Sequence, residues 1–149
     1  MYKISEKKGF TLLELLLVVA IMGVLAVIGT PMYLSLQAEN EMSITSLTIN
    51  DILHRAKLKS QAIDGDASWG VEIKKGSLII FKGTSFVNRN PIYDEEYSIS
   101  NAVDLSGLSE VIYSSLYGIP NITGEIKLKH LDGRQSQLSI NAFGIVNNP

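Results

Sequence analysis

The chain contains no cysteine among its 149 residues, so a disulfide framework and a thiolate metal site are both excluded. Histidine is almost as scarce. We expect His54 and His130 to be surface or partly packed residues rather than catalytic bases. The stretch from Gly83 to Phe86 lacks the second glycine of a nucleophile elbow. The sequence therefore predicts a protein that is not an enzyme, and it indicates no cofactor.

Positive charge is sparse beyond the first nine residues, which hold Lys3, Lys7 and Lys8 and one acid, Glu6. Residues 10–149 carry 10 basic and 14 acidic side chains, a net charge of −4. A body with this balance gains no general electrostatic attraction to nucleic acid. Internal repeats and low-complexity linkers are also absent, and the length suits one domain plus an anchor segment.

Charge is missing altogether between Leu15 and Ala38, and nearly every residue from Phe10 to Ile28 is apolar. About twenty helical residues of this kind span a ~30 Å hydrocarbon core. The alternative is a helix buried in a soluble core, but this segment is apolar on all sides. The lysines before it, with Glu39 and Glu41 after it, predict a cytoplasmic N-terminus and an external remainder.

Glu14 is the one acid near the start of this apolar run. An unpaired acid costs about 2.5–3.5 kcal/mol at the bilayer centre and less near its edge. A secretory signal peptide fits poorly, because the run is long and no A-x-A-like site follows it. A simple signal anchor leaves the acid unexplained. Since no basic residue lies one helical turn away, we expect the partner of Glu14 to lie outside its own helix.

The stretch "KKGFTLLELLLVVAIMGVLA" resembles the N-terminal signal of type IV pilins and of the pseudopilins of type II secretion. A short basic leader ends in Gly9, and Phe10 and Glu14 then occupy the family's positions ahead of an unbroken apolar run. The resemblance implies cleavage after Gly9 by a membrane-embedded prepilin peptidase and N-methylation of Phe10. It also implies that Glu14 neutralises the amine of a neighbouring subunit in a filament, which an inner-membrane assembly platform builds from several (pseudo)pilins.

The same resemblance divides the chain into a leader (1–9), a transmembrane and filament-core helix half (10–34) and a globular head (35–149). Pro31 lies near the second boundary. A proline inside a helix removes one hydrogen bond and clashes with the preceding turn. We therefore expect a helix kink at Pro31, where the family commonly has a proline.

Helical spacing of apolar residues continues after Pro31 and predicts a stripe that packs on a sheet. Its members are Met42, Ile49, Ile52, Leu53, Ala56 and Ile63. The helix is expected to end near Asp64-Gly65-Asp66. This cluster is interpreted as a turn rather than a calcium loop, because Trp69 stands where an EF-hand needs glycine and Lys75 where it needs an acid. Trp69 is expected to be a core residue under the helix.

Beyond the helix, alternating apolar residues and turn signals predict β-strands. The predicted strands are Trp69 to Lys74, Leu78 to Phe81, Tyr97 to Ser100, Val111 to Ser114, Ile126 to Lys129, Leu138 to Ile140 and Ala142 to Asn147. Loops are expected over 85–96 and around 101–109, and Asp132 to Arg134 is expected to form a hairpin turn. The predicted fold class is α+β, with one long N-terminal helix packed on a mostly antiparallel sheet.

The head resembles the H-type minor pseudopilins of type II secretion and related minor pilins. The resemblance lies in "LHRAKLKSQAI", "SWGVEI" and "LDGRQSQLSINAFGIV". It implies a structural subunit of a type IV pilus or a type II secretion pseudopilus, and it leaves open which machine is served. The alternative is a minor pilin that binds DNA during uptake, with Lys127, Lys129, His130 and Arg134 as a basic tip. Solvated strand positions explain these residues equally well.

Overall fold

The structure is a computed structural model that describes residues 9–62 and 67–147. The predicted basic leader before Gly9 and the predicted turn at Asp64-Gly65-Asp66 lie outside these ranges. The chain divides into two compact units, Met1–Gln37 and Ala38–Pro149. The second unit covers most of the predicted head (35–149), and it holds all the β-strands of the described chain.

One long helix, α1 (Leu12–Gln61), begins in the first unit and ends in the second. Pro31 lies inside it and does not end it. Because proline carries no amide hydrogen, the carbonyl of Val27 one turn earlier loses its helical partner. A kink at this point stays a prediction. The last predicted stripe residue, Ile63, falls outside the described ranges.

Among the described residues, eight strands and one short 3-10 helix (Pro91–Tyr93) follow α1, and the strands form two four-stranded sheets. The strands are β1 (Trp69–Lys74), β2 (Ser77–Lys82), β3 (Glu95–Ser98), β4 (Val103–Gly107), β5 (Glu110–Tyr113), β6 (Gly124–His130), β7 (Gln135–Ile140) and β8 (Val146–Asn147). The first sheet has the order β3-β2-β1-β5 and the second β4-β6-β7-β8. All neighbouring strands are antiparallel. The α+β prediction is confirmed, with two sheets in place of one.

Three strand predictions were wrong in detail. β4 lies within the segment expected to be a loop, where it pairs with β6 from Val103↔His130 to Gly107↔Ile126. β3 begins at Glu95, inside the other expected loop. The last predicted strand shrinks to β8, because the chain turns between Asn141 and Gly144. In each case a partner distant in sequence, or a local turn, overrides the weak alternation that the residues show.

A single hydrophobic core joins α1 to both sheets. The described members of the predicted helix stripe are all buried: Met42, Ile49, Ile52, Leu53 and Ala56. They face Val71, Leu78 and Val111 of the first sheet and Ile126, Leu128 and Leu138 of the second. Trp69 retains only 3% of its exposure, which confirms its expected place in the core.

Gly70 shows why a glycine stands in the middle of β1. A Cβ at this position would lie 2.5 Å from Cζ of Phe81 on the neighbouring strand. Phe81 is itself fully buried and packs edge-on against Phe86, with ring centroids 5.5 Å apart. The outer face of the first sheet is thus covered here by the segment that follows β2.

Candidate assembly site

The start of α1 is fixed by a threonine cap. The backbone N–H of Glu14 donates to Oγ1 of Thr11 at 3.2 Å, and the N–H of Leu15 donates to the carbonyl of Thr11 at 3.2 Å. Thr11 and Glu14 stand at the spacing of a capping box, S/T-x-x-E/Q. This cap was not predicted, although its spacing is visible in the sequence. It sets the first turn of α1 directly after Phe10 and holds the Glu14 carboxylate within that turn.

The surroundings of the cap are open. Gly9, Phe10 and Glu14 are all exposed, and Phe10 retains 84% of its exposure. No ion pair reaches the Glu14 carboxylate from the residues that the structure describes. The helix dipole stabilises a negative charge in the first turn, but it does not neutralise that charge. The carboxylate is therefore available to a partner.

The apolar side chains that follow are equally uncovered. Every residue from Leu15 to Val27 is exposed. By length and composition, α1 is long and apolar enough to cross a membrane. An apolar surface of this extent is typical of a helix surrounded by lipid or by other apolar helices.

The predicted basic tip is not a continuous basic surface. Lys127 and Lys129 point outward from β6, whose intervening residue Leu128 is buried. Lys127 Nζ lies 3.8 Å from Glu125 Oε2. Lys129 stands opposite Asp104 of β4 in the sheet register. Lys127 therefore has a carboxylate close by, whereas the Asp104 carboxylate forms its ion pair with Lys75, with Nζ 2.5 Å from Oδ1.

Arg134 is matched to acids in the same way. Its Nε lies 3.1 Å from Asp132 Oδ2, and its Nη1 lies 3.8 Å from Glu39 Oε2. The hydrogen bond from the Arg134 backbone N–H holds the pKa of Asp132 below its usual value, so this carboxylate stays ionised. His130 lies between Asp132 and Glu41, at 2.9 Å and 3.5 Å. The structure brings the predicted tip residues to one hairpin, but among carboxylates.

Metal chemistry finds no support in the described ranges 9–62 and 67–147. No three or more His, Asp or Glu side chains there stand close enough to hold a metal ion.

Two comparisons with known proteins bear on the identity of the chain. Residues 4–30 match the family described as "Prokaryotic N-terminal methylation motif". The structure is similar to that of the minor pseudopilin EpsH from the type 2 secretion system of Vibrio cholerae, with a TM-score of 0.53 and 12% sequence identity. The match covers 73% of this chain and 96% of that chain.

The chain has a pseudopilin fold. The likeness to EpsH is one of fold, and it confirms the expected long N-terminal helix followed by antiparallel sheets. The match to the methylation motif confirms the resemblance of the N-terminal segment. The pseudopilin fold and the motif are together what is expected of a pilin- or pseudopilin-like subunit.

Proposed function

We propose that this chain is a minor pilin or pseudopilin subunit that is cleaved after Gly9, N-methylated on Phe10 and polymerised into a type IV pilus or a type II secretion pseudopilus. One observation carries the proposal. An exposed apolar helix with a methylation motif holds a carboxylate in its first turn, and no described residue pairs with that carboxylate. The same helix continues into a head with a pseudopilin fold.

The mechanism follows from the electrostatics of Glu14. Cleavage after Gly9 would create a cationic amine on Phe10, just ahead of the helix. In a filament core, the Glu14 carboxylate of one subunit would neutralise the amine of its neighbour, where the low dielectric strengthens their attraction. A lone subunit leaves the acid unpaired at a cost of up to about 2.5–3.5 kcal/mol in the membrane. Only one axial register joins the two charges, so the pair favours correctly placed subunits.

The topology is part of the proposal. The leader (1–9) stays in the cytoplasm, where the prepilin peptidase acts, and the helix half (10–34) crosses the inner membrane. The head (35–149) then lies in the periplasm or outside the cell. An excess of lysine on the leader side supports this orientation. The assembly platform would draw the subunit from the membrane into the filament, and Pro31 would allow α1 to bend during this step.

The test is Glu14→Ala in the full chain, expressed in its native host. Removing an acid favours membrane burial, so insertion and cleavage should survive. Intact mass should show loss of residues 1–9 and one added methyl group on Phe10. Incorporation into sedimentable filaments should fall more than about tenfold, the factor that corresponds to ~1.4 kcal/mol.

The matched control is Glu125→Ala, which removes an exposed acid from β6 and should leave incorporation unchanged. Mature protein that still carries the leader, or that is cut near Gly29, would contradict the proposal. So would a Glu14→Ala variant that enters filaments as efficiently as the parent chain.

A further inference from the structure

A short loop, which we call the strap, crosses the outer face of the first sheet directly after β2. It covers residues 83–90, and its ends lie close together, since the N–H of Asn90 donates to the carbonyl of Lys82 at 3.4 Å. Phe86 anchors the strap, because its ring packs edge-on against the buried Phe81 with ring centroids 5.5 Å apart. Compact loops of this kind are packed by their own side chains, and such units can open locally while the strands beside them stay folded.

Charged groups hold Phe86 in this position. Its backbone N–H donates to Oε1 of Glu110 on β5 at 2.9 Å. The ammonium group of Lys74 lies 4.1 Å from the centre of its ring, and the guanidinium carbon of Arg89 lies 3.6 Å from it. Arg89 also donates to the carbonyl of Phe86 at 2.8 Å and to Oδ2 of Asp94 at 2.7 Å. The other oxygen of Asp94 is buried and has no hydrogen-bond partner among the described residues, which weakens the closed arrangement.

Glu72 of β1 lies among these groups, with its side chain only 15% exposed. It stands directly opposite Glu110 in the antiparallel register. The N–H of Ile73 donates to the carbonyl of Ser109, so Glu72 and Glu110 fall between hydrogen-bonded pairs, where opposed side chains come closest. Two carboxylates that face each other in this way repel when both are ionised.

Burial is the largest influence on Glu72, and it raises the pKa of this carboxyl. Lys74, whose Nζ lies 3.6 Å from Oε1 of Glu72, acts in the opposite sense. Glu110 of β5 adds to the increase and Arg89 of the strap reduces it, while β2 places the apolar Ile79 opposite Glu72. The pKa of Glu72 stays above its usual value, so the folded head favours the neutral carboxyl.

We propose that the strap is a proton-controlled cover on the outer face of the first sheet, closed when Glu72 is protonated and open more often when Glu72 is ionised. The closed strap places Phe86 and Arg89 beside Glu72 and shields it from water. Closing therefore favours the neutral carboxyl, and by thermodynamic linkage ionisation favours opening. This inference concerns the head alone and does not depend on polymerisation.

The contacts of the strap give the same result. An ionised Glu72 repels the Glu110 carboxylate, which holds the Phe86 N–H. It also attracts the Lys74 ammonium away from the Phe86 ring. Ionisation of one side chain thus weakens two of the attachments of the strap.

The direction of the pKa shift sets the sign of the pH effect. A carboxyl whose pKa is raised in the closed state stabilises that state at low pH. This contribution is lost as the pH rises from the ordinary value of the group, near 4.5, through the raised value. The strap should therefore be better protected near pH 4.5 than at pH 7.

Hydrogen exchange of the detergent-solubilised full chain, followed by NMR at the Phe86 amide, tests the proposal. After correction for the intrinsic effect of pH on exchange, protection of this amide should fall severalfold between pH 4.5 and pH 7. Glu72→Gln cannot ionise, so its Phe86 amide should keep the same protection at both pH values. Glu110→Gln keeps an oxygen that accepts from the Phe86 N–H but removes the opposing charge, so its pH dependence should be smaller than that of the parent chain.

Glu96→Gln is the matched control, because Glu96 is an exposed acid of the same sheet, and it should retain the pH dependence of the parent chain. The amide of Val71, fully buried in β1, is the internal reference. Equal protection of Phe86 at both pH values in the parent chain would overturn the inference, and so would a loss in Glu72→Gln as large as in the parent. An equal change at Phe86 and Val71 would also overturn it, since that result means unfolding of the whole head. If Glu72→Gln does not fold, as judged by circular dichroism, an undiminished pH dependence in Glu110→Gln is the contradicting result.

Discussion

At the scale of single residues, Ser60 is a buried polar residue that ties α1 to the first sheet. Its side chain is fully buried. The hydroxyl donates to the carbonyl of Tyr113 on β5 at 3.0 Å and accepts from the N–H of Trp69 on β1 at 2.9 Å. One small side chain thus satisfies two backbone groups that no water can reach.

We predict that Ser60→Ala lowers the free energy of unfolding by about 1–3 kcal/mol, because it leaves buried backbone groups without a partner. Trp69 is the single tryptophan and is buried, so its fluorescence reports directly on unfolding. Urea denaturation of the detergent-solubilised chain measures the effect. Ser43→Ala, at an exposed position of the same helix, should change stability little. Equal stability of the two variants would contradict the assigned role of Ser60.

At the scale of elements, Glu95 links β3 to α1. Its carboxylate lies 2.6 Å from Lys59 Nζ and 3.8 Å from Arg55 Nη2, and it accepts a hydrogen bond from the Tyr97 hydroxyl at 2.7 Å. The hydrogen bond from Lys59, followed by that from Tyr97, lowers the pKa of the Glu95 carboxyl. This link explains why an acidic segment with weak strand propensity becomes an edge strand beside the helix.

The lowered pKa sets the sign of a pH effect. A carboxyl whose pKa is lower in the folded state contributes stability above its unfolded pKa, near 4.5, and loses that contribution as the pH falls through the folded value. Glu95→Gln should therefore reduce stability at pH 7 and flatten its decline between pH 5 and pH 3, where the decline reflects protonation of this group.

Thermal unfolding at several pH values, followed by circular dichroism, measures this dependence. Glu96→Gln is the matched control, because Glu96 is exposed and adjacent and has no ion pair among the described residues. If Glu95→Gln and the parent chain decline in parallel below pH 5, the link between β3 and α1 contributes nothing to acid sensitivity.

At the scale of the whole molecule, charge separates a structural subunit from a DNA receptor. Residues 10–149 have a net charge of −4, and the basic hairpin residues stand beside acids. Phosphate contacts need a basic surface. We predict that the chain binds DNA weakly or not at all near physiological salt, as measured by fluorescence anisotropy.

The combined variant Lys127→Ala, Lys129→Ala and Arg134→Ala should leave filament assembly nearly unchanged, because the two lysines are exposed and Arg134 is partly exposed. DNA binding that weakens as salt rises and disappears in this variant would assign the alternative function to the hairpin.

The sequence alone was sufficient to predict the features that depend on residues close together in the chain. The apolar run, the motif around Gly9 and Glu14 and the spacing of the buried helix stripe each depend on neighbours within a few helical turns. Trp69 could be placed in the core because Trp69, Val71 and Ile73 alternate with Gly70, Glu72 and Lys74. The α+β class followed from these periodicities, and the structure confirms it.

Tertiary structure alone decided the features that depend on distant partners. β4 has little strand character of its own and forms because β6 offers it hydrogen bonds. Arg134 of the basic hairpin has an acidic neighbour, Glu39, that is far away in sequence and is brought beside it only by the fold. The loops 114–122 and 141–145, remote from α1 in sequence, meet its last turns only in the folded chain. Periodicity in the sequence indicates which side of a helix or strand is apolar. What packs against that side is decided by contacts between residues that are remote in sequence.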